Sequence, residues 1–127
     1  RNVSLIFAPE DFNFSLTVPA MPEGYRNNYR HTRALLTLQG KEFTDYGGAI
    51  SIESDASFSR FISCINICRY RAIEEVKEWL KQNDSRLQCV VSAEKIHSRS
   101  VGFGRAQYPS LTDYADEVDV MKFLETI

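Results

Sequence analysis

The sequence has few of the residues from which the commoner sites are built. Three cysteines, Cys64, Cys68 and Cys89, and two histidines, His31 and His97, are the whole stock of soft ligands. No Cys-x-x-Cys pair is present and the cysteine number is odd, so a disulfide framework and a four-ligand zinc site are both disfavoured. The cysteines therefore read as reduced thiols. No apolar run approaches the ~18 to 20 residues that span a bilayer, and the basic, apolar and small-residue order of a signal peptide is missing. The expected compartment is the cytoplasm, with no membrane partner. Charge of one sign is missing too: 15 basic residues face 17 acidic ones, a net charge of -2, which gives no field to attract nucleic acid.

What is present suits an ordinary folded domain. Hydrophobic residues make up 43% and charged residues 25% of 127 positions, which disfavours disorder and allows a real core. One α/β unit over residues 1–127 is expected. The chain opens on Arg1 rather than methionine and enters an apolar run at once, which reads as a start cut from something longer.

Val3 to Ala8 has strand composition, and Pro9 stops ladder donation. Residues 10–22, with Phe12, Phe14 and Leu16 among prolines, read as an extended segment and loop. From Glu23, Tyr25, Tyr29, Thr32, Leu35, Leu36 and Leu38 recur at three and four, predicting a helix that ends near Gly40. Arg26, Arg30 and Arg33 then fall on its solvated side. Asp45-Tyr46-Gly47-Gly48 reads as a turn, and Ala49 to Ile52 as a strand.

Phe58 to Cys68 is nearly uncharged and predicts a strand covered on both faces. Ala72 to Gln82 places Ile73, Val76, Trp79 and Leu80 on one helical face, Asn83 to Ser85 breaks that helix, and Leu87 to Val91 reads as another buried strand. Strand, helix and strand in that order predict a crossover between parallel strands. The fold class is thus α/β, with buried, mainly parallel strands and crossover helices. Val118 to Leu124 could close the chain as a short strand or helix.

Chemistry is sparse. Cys64 and Cys68 read as core residues. His31 and His97 lack a second ligand at metal spacing, and Asp113, Asp116 and Asp119 lack the glycine turn of a calcium loop, so no metal is expected. Gly102-Phe103-Gly104 is part of a phosphate loop, but Gln107 stands where the third glycine belongs.

Two stretches carry a likeness. Arg1 to Glu10, and Phe103-Gly104-Arg105-Ala106-Gln107-Tyr108-Pro109 with Asp113 to Asp116, resemble the acyl-CoA reductases of the aldehyde dehydrogenase superfamily. Asn27-Asn28-Tyr29, Asp45 to Gly48 and Leu87 to Ser92 are similar in order and spacing. The sequence departs from that pattern at Ala56, where the family has glutamate, and at Arg60, where it has proline. The resemblance implies the C-terminal part of an aldehyde-dehydrogenase-like catalytic domain in which a cysteine attacks an acyl-CoA thioester and NAD(P)H reduces the acyl group. That cysteine is expected upstream of Arg1, so no catalytic residue is assigned within the chain. Phe58 is implied as the residue against the nicotinamide, and Phe103, Gly104 and Gln107 as the substrate side. The implied partners are acyl-CoA and the remainder of the parent polypeptide, with a homo-oligomer possible. An independent α/β binding or interaction module, and a small thiol enzyme using Cys64 or Cys89, stand as alternatives.

Overall fold

The computed structural model describes residues 3–109 and 120–125. The chain is mixed α/β and divides into two compact units, Arg1–Val76 and Lys77–Ile127. The first unit is built on a four-stranded sheet of β1 (Leu5–Pro9), β2 (Thr44–Asp45), β3 (Ile50–Glu53) and β4 (Cys64–Tyr70), in the order β1-β4-β3-β2. β4 runs parallel to both of its neighbours, with Leu5 opposite Asn66 and Ile50 opposite Cys64, and only β2 is antiparallel. The last strand of this unit to be made is therefore its centre.

α1 (Glu23–Leu38) forms because its apolar residues recur at helical spacing. Thr32 and Leu36 are buried, Tyr25, Tyr29 and Leu35 half-buried, and His31 and the three arginines exposed. The expected face ends one residue early: Leu38 is 84% exposed. The helix stops where Gly40 takes φ +64° and the Gly40 and Lys41 amides donate to the Thr37 and Leu36 carbonyls. That is a Schellman close, and a Cβ at Gly40 strains it. Leu36, Ile50 and Cys64 form the buried cluster beneath the helix, flanked by Tyr29, Phe43, Ile52 and Phe61.

The expected turn at residues 45–48 is the hairpin between β2 and β3. The Tyr46 amide donates to the Ala49 carbonyl, Gly47 has φ +80°, and the Gly47 amide donates to Asp45 Oδ1 at 2.9 Å. After a turn at Glu10 and Asp11, residues 12–22 run without helix or strand, in keeping with the expected loop, and half-bury Phe14, Leu16 and Val18 in alternation. Phe14 meets the Tyr46 ring edge-on, and Val18 and Met21 approach Gly48 so closely that a Cβ there would lie 2.6 Å from Met21 Cε. Glycine at 48 is what lets this strap cross the hairpin.

Two expectations fail. The strand expected from Phe58 starts at Cys64, because Ser59 Oγ bonds both the amide and the carbonyl of Phe61 and Ser63 adopts φ +68°, conformations that no ladder tolerates. Within β4, Cys64 and Ile67 are buried and lie on opposite faces. The crossover to Leu87–Val91 does not form either. After α2 (Ile73–Gln82) and a 3-10 turn at Asp84–Arg86, β5 (Val90–Val91) pairs with β6 (Ser100–Val101) in a separate parallel sheet. Leu87 is kept from a ladder by Arg99, whose Nη1 takes the Leu87 and Asp84 carbonyls at 2.9 and 2.6 Å. The choice left open for the chain end falls to a helix, α3 (Val120–Glu125).

Candidate functional site

In an open, mainly parallel sheet, ligands usually sit beyond the carboxyl ends of the strands. Here that edge is closed by the chain itself. Arg69, near the end of β4, holds Glu53 of β3 through Nε at 3.1 Å and Nη2 at 2.7 Å, a two-pronged pair that keeps its guanidinium pKa above the ordinary value. Its Nη1 donates to the carbonyls of Pro9, the last residue of β1, and Phe12, just past it. Arg71 adds an ion pair to Glu10 at 2.7 Å. The turn after β1 is thus tied across the ends of β4 and β3.

The opposite, amino edge is open. A groove of about 410 Å³ is lined by residues that precede β1, β3 and β4 and by the strap, with Leu16, Val18, Phe61, Ile62 and Ile65 giving it an apolar wall. The loop before β4 contributes polar groups to it, beside those of Ser4, Thr17 and Tyr25. That loop is pinned at both ends: Asn66 Nδ2 donates to the Ser57 carbonyl, the Ser59 amide to the Ser4 carbonyl, and Thr32 Oγ1 to the Ile62 carbonyl. Ser63 closes it in the left-handed region, with its carbonyl accepting from the Ile50 amide at 2.8 Å. Its Oγ is buried and has no hydrogen-bond partner among the described residues. Arg60, on the same loop, is exposed and makes no ion pair among the described residues.

Cys64 stands at the base of this groove, 2% exposed. Burial pushes its thiol pKa up, more than Ser59 and Lys41 lower it. Burial also raises the Cys68 thiol, helped by the carboxylates of Asp55, Glu75 and Glu53. Both are held as thiols, which opposes the thiol-enzyme alternative at Cys64. Cys89 is half-buried and lies just outside β5, a correction to its expected place deep in a strand.

The residues singled out by resemblance fall in different units. Phe58 is half-buried in the loop before β4. Phe103, Gly104 and Gln107 belong to the second unit, in two successive turns closed by Arg105 N–H to the Gly102 carbonyl and Tyr108 N–H to the Arg105 carbonyl. Gly104 has φ +74°, which the first turn requires, so its glycine serves the backbone. Phe103 and Tyr108 are 74% and 72% exposed, Gln107 is exposed, and the Arg105 guanidinium lies 5.9 Å from the Tyr108 ring centre.

Sequence reasoning passed over Ser59, Arg60 and Ser63 as parts of a strand. The serines on either side of Arg60-Phe61-Ile62 were the available signal, since serine offers the backbone a turn instead of a ladder. His97 gains a role as well. Its Nε2 lies 2.9 Å from Asp84 Oδ1, while Nδ1 accepts the Arg99 amide at 3.1 Å. Both ring nitrogens are used in closing the loop, so neither faces a reacting group. Asp113, Asp116 and Asp119 lie outside the described residues, among which no cluster suited to a metal occurs and no helix is long and apolar enough to cross a membrane. No family model, no curated protein and no solved structure matches the chain.

Proposed function

We propose that the chain is the C-terminal part of the catalytic domain of an acyl-CoA reductase with an aldehyde-dehydrogenase-like fold. The ordered set of stretches running from Arg1 to Asp116 carries this reading, and a mainly parallel α/β sheet is the layout such a piece requires. Burial raises the Cys64 and Cys68 thiols, which disfavours either as the nucleophile, and the resemblance places the attacking cysteine N-terminal to Arg1. Within the parent, Phe58 lies against the nicotinamide of NAD(P)H, and Phe103, Gly104 and Gln107 border the acyl group. An exposed Phe103 on a glycine turn is suited to such contact.

The test is the whole parent polypeptide, assayed for aldehyde formation from acyl-CoA with NADH or NADPH. Aldehyde should form, and Phe103→Ala should lower kcat/KM about tenfold, as expected for one lost apolar contact. A coding sequence that starts at Arg1 with no upstream cysteine, or an intact polypeptide that makes no aldehyde, sinks the proposal.

A second reading, an independent α/β ligand-binding module without catalysis, is favoured by the amino-edge groove. A single cooperative unfolding transition of the isolated chain is its expected signature.

A further inference from the structure

We infer that His97 is a pH-sensitive latch of the second unit: a proton taken up at Nδ1 releases the Arg99 amide and loosens β6 from β5. The latch depends on the loop's own hydrogen bonds, so it stands or falls apart from the reductase proposal. The loop between the two strands turns back on the His97 imidazole, whose side chain is only 9% exposed. A backbone amide can only donate, so Nδ1, which accepts the Arg99 amide at 3.1 Å, carries no proton. The neutral ring's one N–H is then on Nε2, where it donates to Asp84 Oδ1 at 2.9 Å. A side-chain acceptor for the amide two residues on is what asparagine supplies in an Asx-turn. Histidine does the same here, and it titrates.

Protonation removes that acceptor. Imidazolium carries a hydrogen on both nitrogens, so the new Nδ1 hydrogen faces the Arg99 amide hydrogen and their bond is lost, while the Asp84 contact at Nε2 is kept in either state. Two charged groups meet at the ring. Asp84, from the 3-10 turn, favours the cation, and the Arg99 guanidinium, 3.4 Å from the same Oδ1, opposes it; Arg86 of that turn and Glu94 and Lys95 of the loop are exposed. What the amide holds in place is the ladder. The Arg99 carbonyl accepts the Val90 amide at 3.2 Å, and the His97 amide and carbonyl both bond Ser100, the first residue of β6. Strands of two residues cannot keep their register alone, so the loss of this one turn bond reaches them. Val101 leads straight into the turns of Gly102 to Tyr108, whose starting point loosens with β6.

The test follows the full 127-residue chain by NMR from about pH 8 down to about pH 5, the span over which histidine changes charge. It reads the His97 ring nitrogens together with the exchange protection of each amide, referred to its unstructured rate at the same pH. As Nδ1 takes its proton, protection of the Arg99 amide should fall about tenfold, the effect of one hydrogen bond, with Val90 and Ser92 following and Ile67 of the first unit unchanged. His97→Asn should keep the Arg99 amide protected at the upper pH, because its Oδ1 accepts the same amide, and should show no loss at the lower one. Asp84→Asn, which removes the charge that favours the cation, should move the loss to lower pH. An Arg99 amide that stays protected while the His97 ring protonates, an equal loss in His97→Asn, or a loss shared by Ile67 would each overturn the assignment.

Discussion

At the scale of single residues, Ser63 is where local preference and structure disagree most. A side chain in the left-handed region costs about 1 to 2 kcal/mol, and a buried hydroxyl with no partner among the described residues adds to it. Ser63→Gly should therefore raise the unfolding free energy by about 1 kcal/mol, read from the urea midpoint at constant slope. A destabilised Ser63→Gly would mean that the hydroxyl bonds something in the folded protein. The serines at 59 and 63 hint at a turn, but nothing local gives the left-handed backbone or the buried hydroxyl. Serine is unremarked in a loop, and only the carbonyls of Ile62 and Ser63, held by Thr32 and Ile50, impose the turn.

At the scale of elements, Asp45 joins α1 to the hairpin. It accepts from Tyr29 Oη at 2.6 Å and from the Gly47 amide, and pairs with Arg33 Nε at 2.8 Å. Partial burial raises its carboxyl pKa, but the Tyr29, Gly47 and Arg33 contacts together outweigh that and leave it below the ordinary value. The same hydrogen bond raises the Tyr29 phenol. A depressed carboxyl contributes stability above its unfolded pKa of about 3.9, and that contribution is lost as pH falls through the folded value. Asp45→Asn should cost about 1 kcal/mol at neutral pH and flatten the acid limb of the stability curve below about pH 4, measured by urea unfolding across pH. An unchanged acid limb would show that Asp45 does not hold the hairpin. The helices and the turn were legible because periodicity and glycine placement are local properties, seen in Leu36 and Val76 inside and in the Gly40 close. The start of β4 was not. An apolar run such as Phe58 to Cys68 fits a covered strand until hydrogen bonds from distant residues break it at Ser63.

At the scale of the whole molecule, β4 lies between β1 and β3, so its backbone is bonded on both sides while each neighbour in the parallel set leans on it. Amides of Ile65 to Arg69 should exchange most slowly in the first unit, because their release needs the sheet to open rather than an edge to fray. Longer protection of β1 amides would contradict this order. The second unit works differently. A parallel pair of two-residue strands cannot hold itself together, and the Arg99, Asp84 and His97 contacts supply the closure that its short ladder lacks. The reductase assay belongs to this scale too, since the proposed reaction draws on Phe58 and Phe103 of both compact units and on a cysteine proposed to lie in the parent polypeptide.

The sequence by itself determined the α/β class, the placement of α1 and α2 and the burial of Cys64, because each follows from periodicity, local turn chemistry or the transfer of apolar side chains out of water. It also carried the family resemblance, which is a property of residue order alone. Tertiary structure decided the strand order, the assignment of Val90 and Val91 to a sheet of their own, and the groove edge. Those depend on which distant backbone groups meet. Arg69 reaching Pro9 and Phe12, and Arg99 reaching Leu87, pair groups up to sixty residues apart, and no local pattern encodes such a pairing.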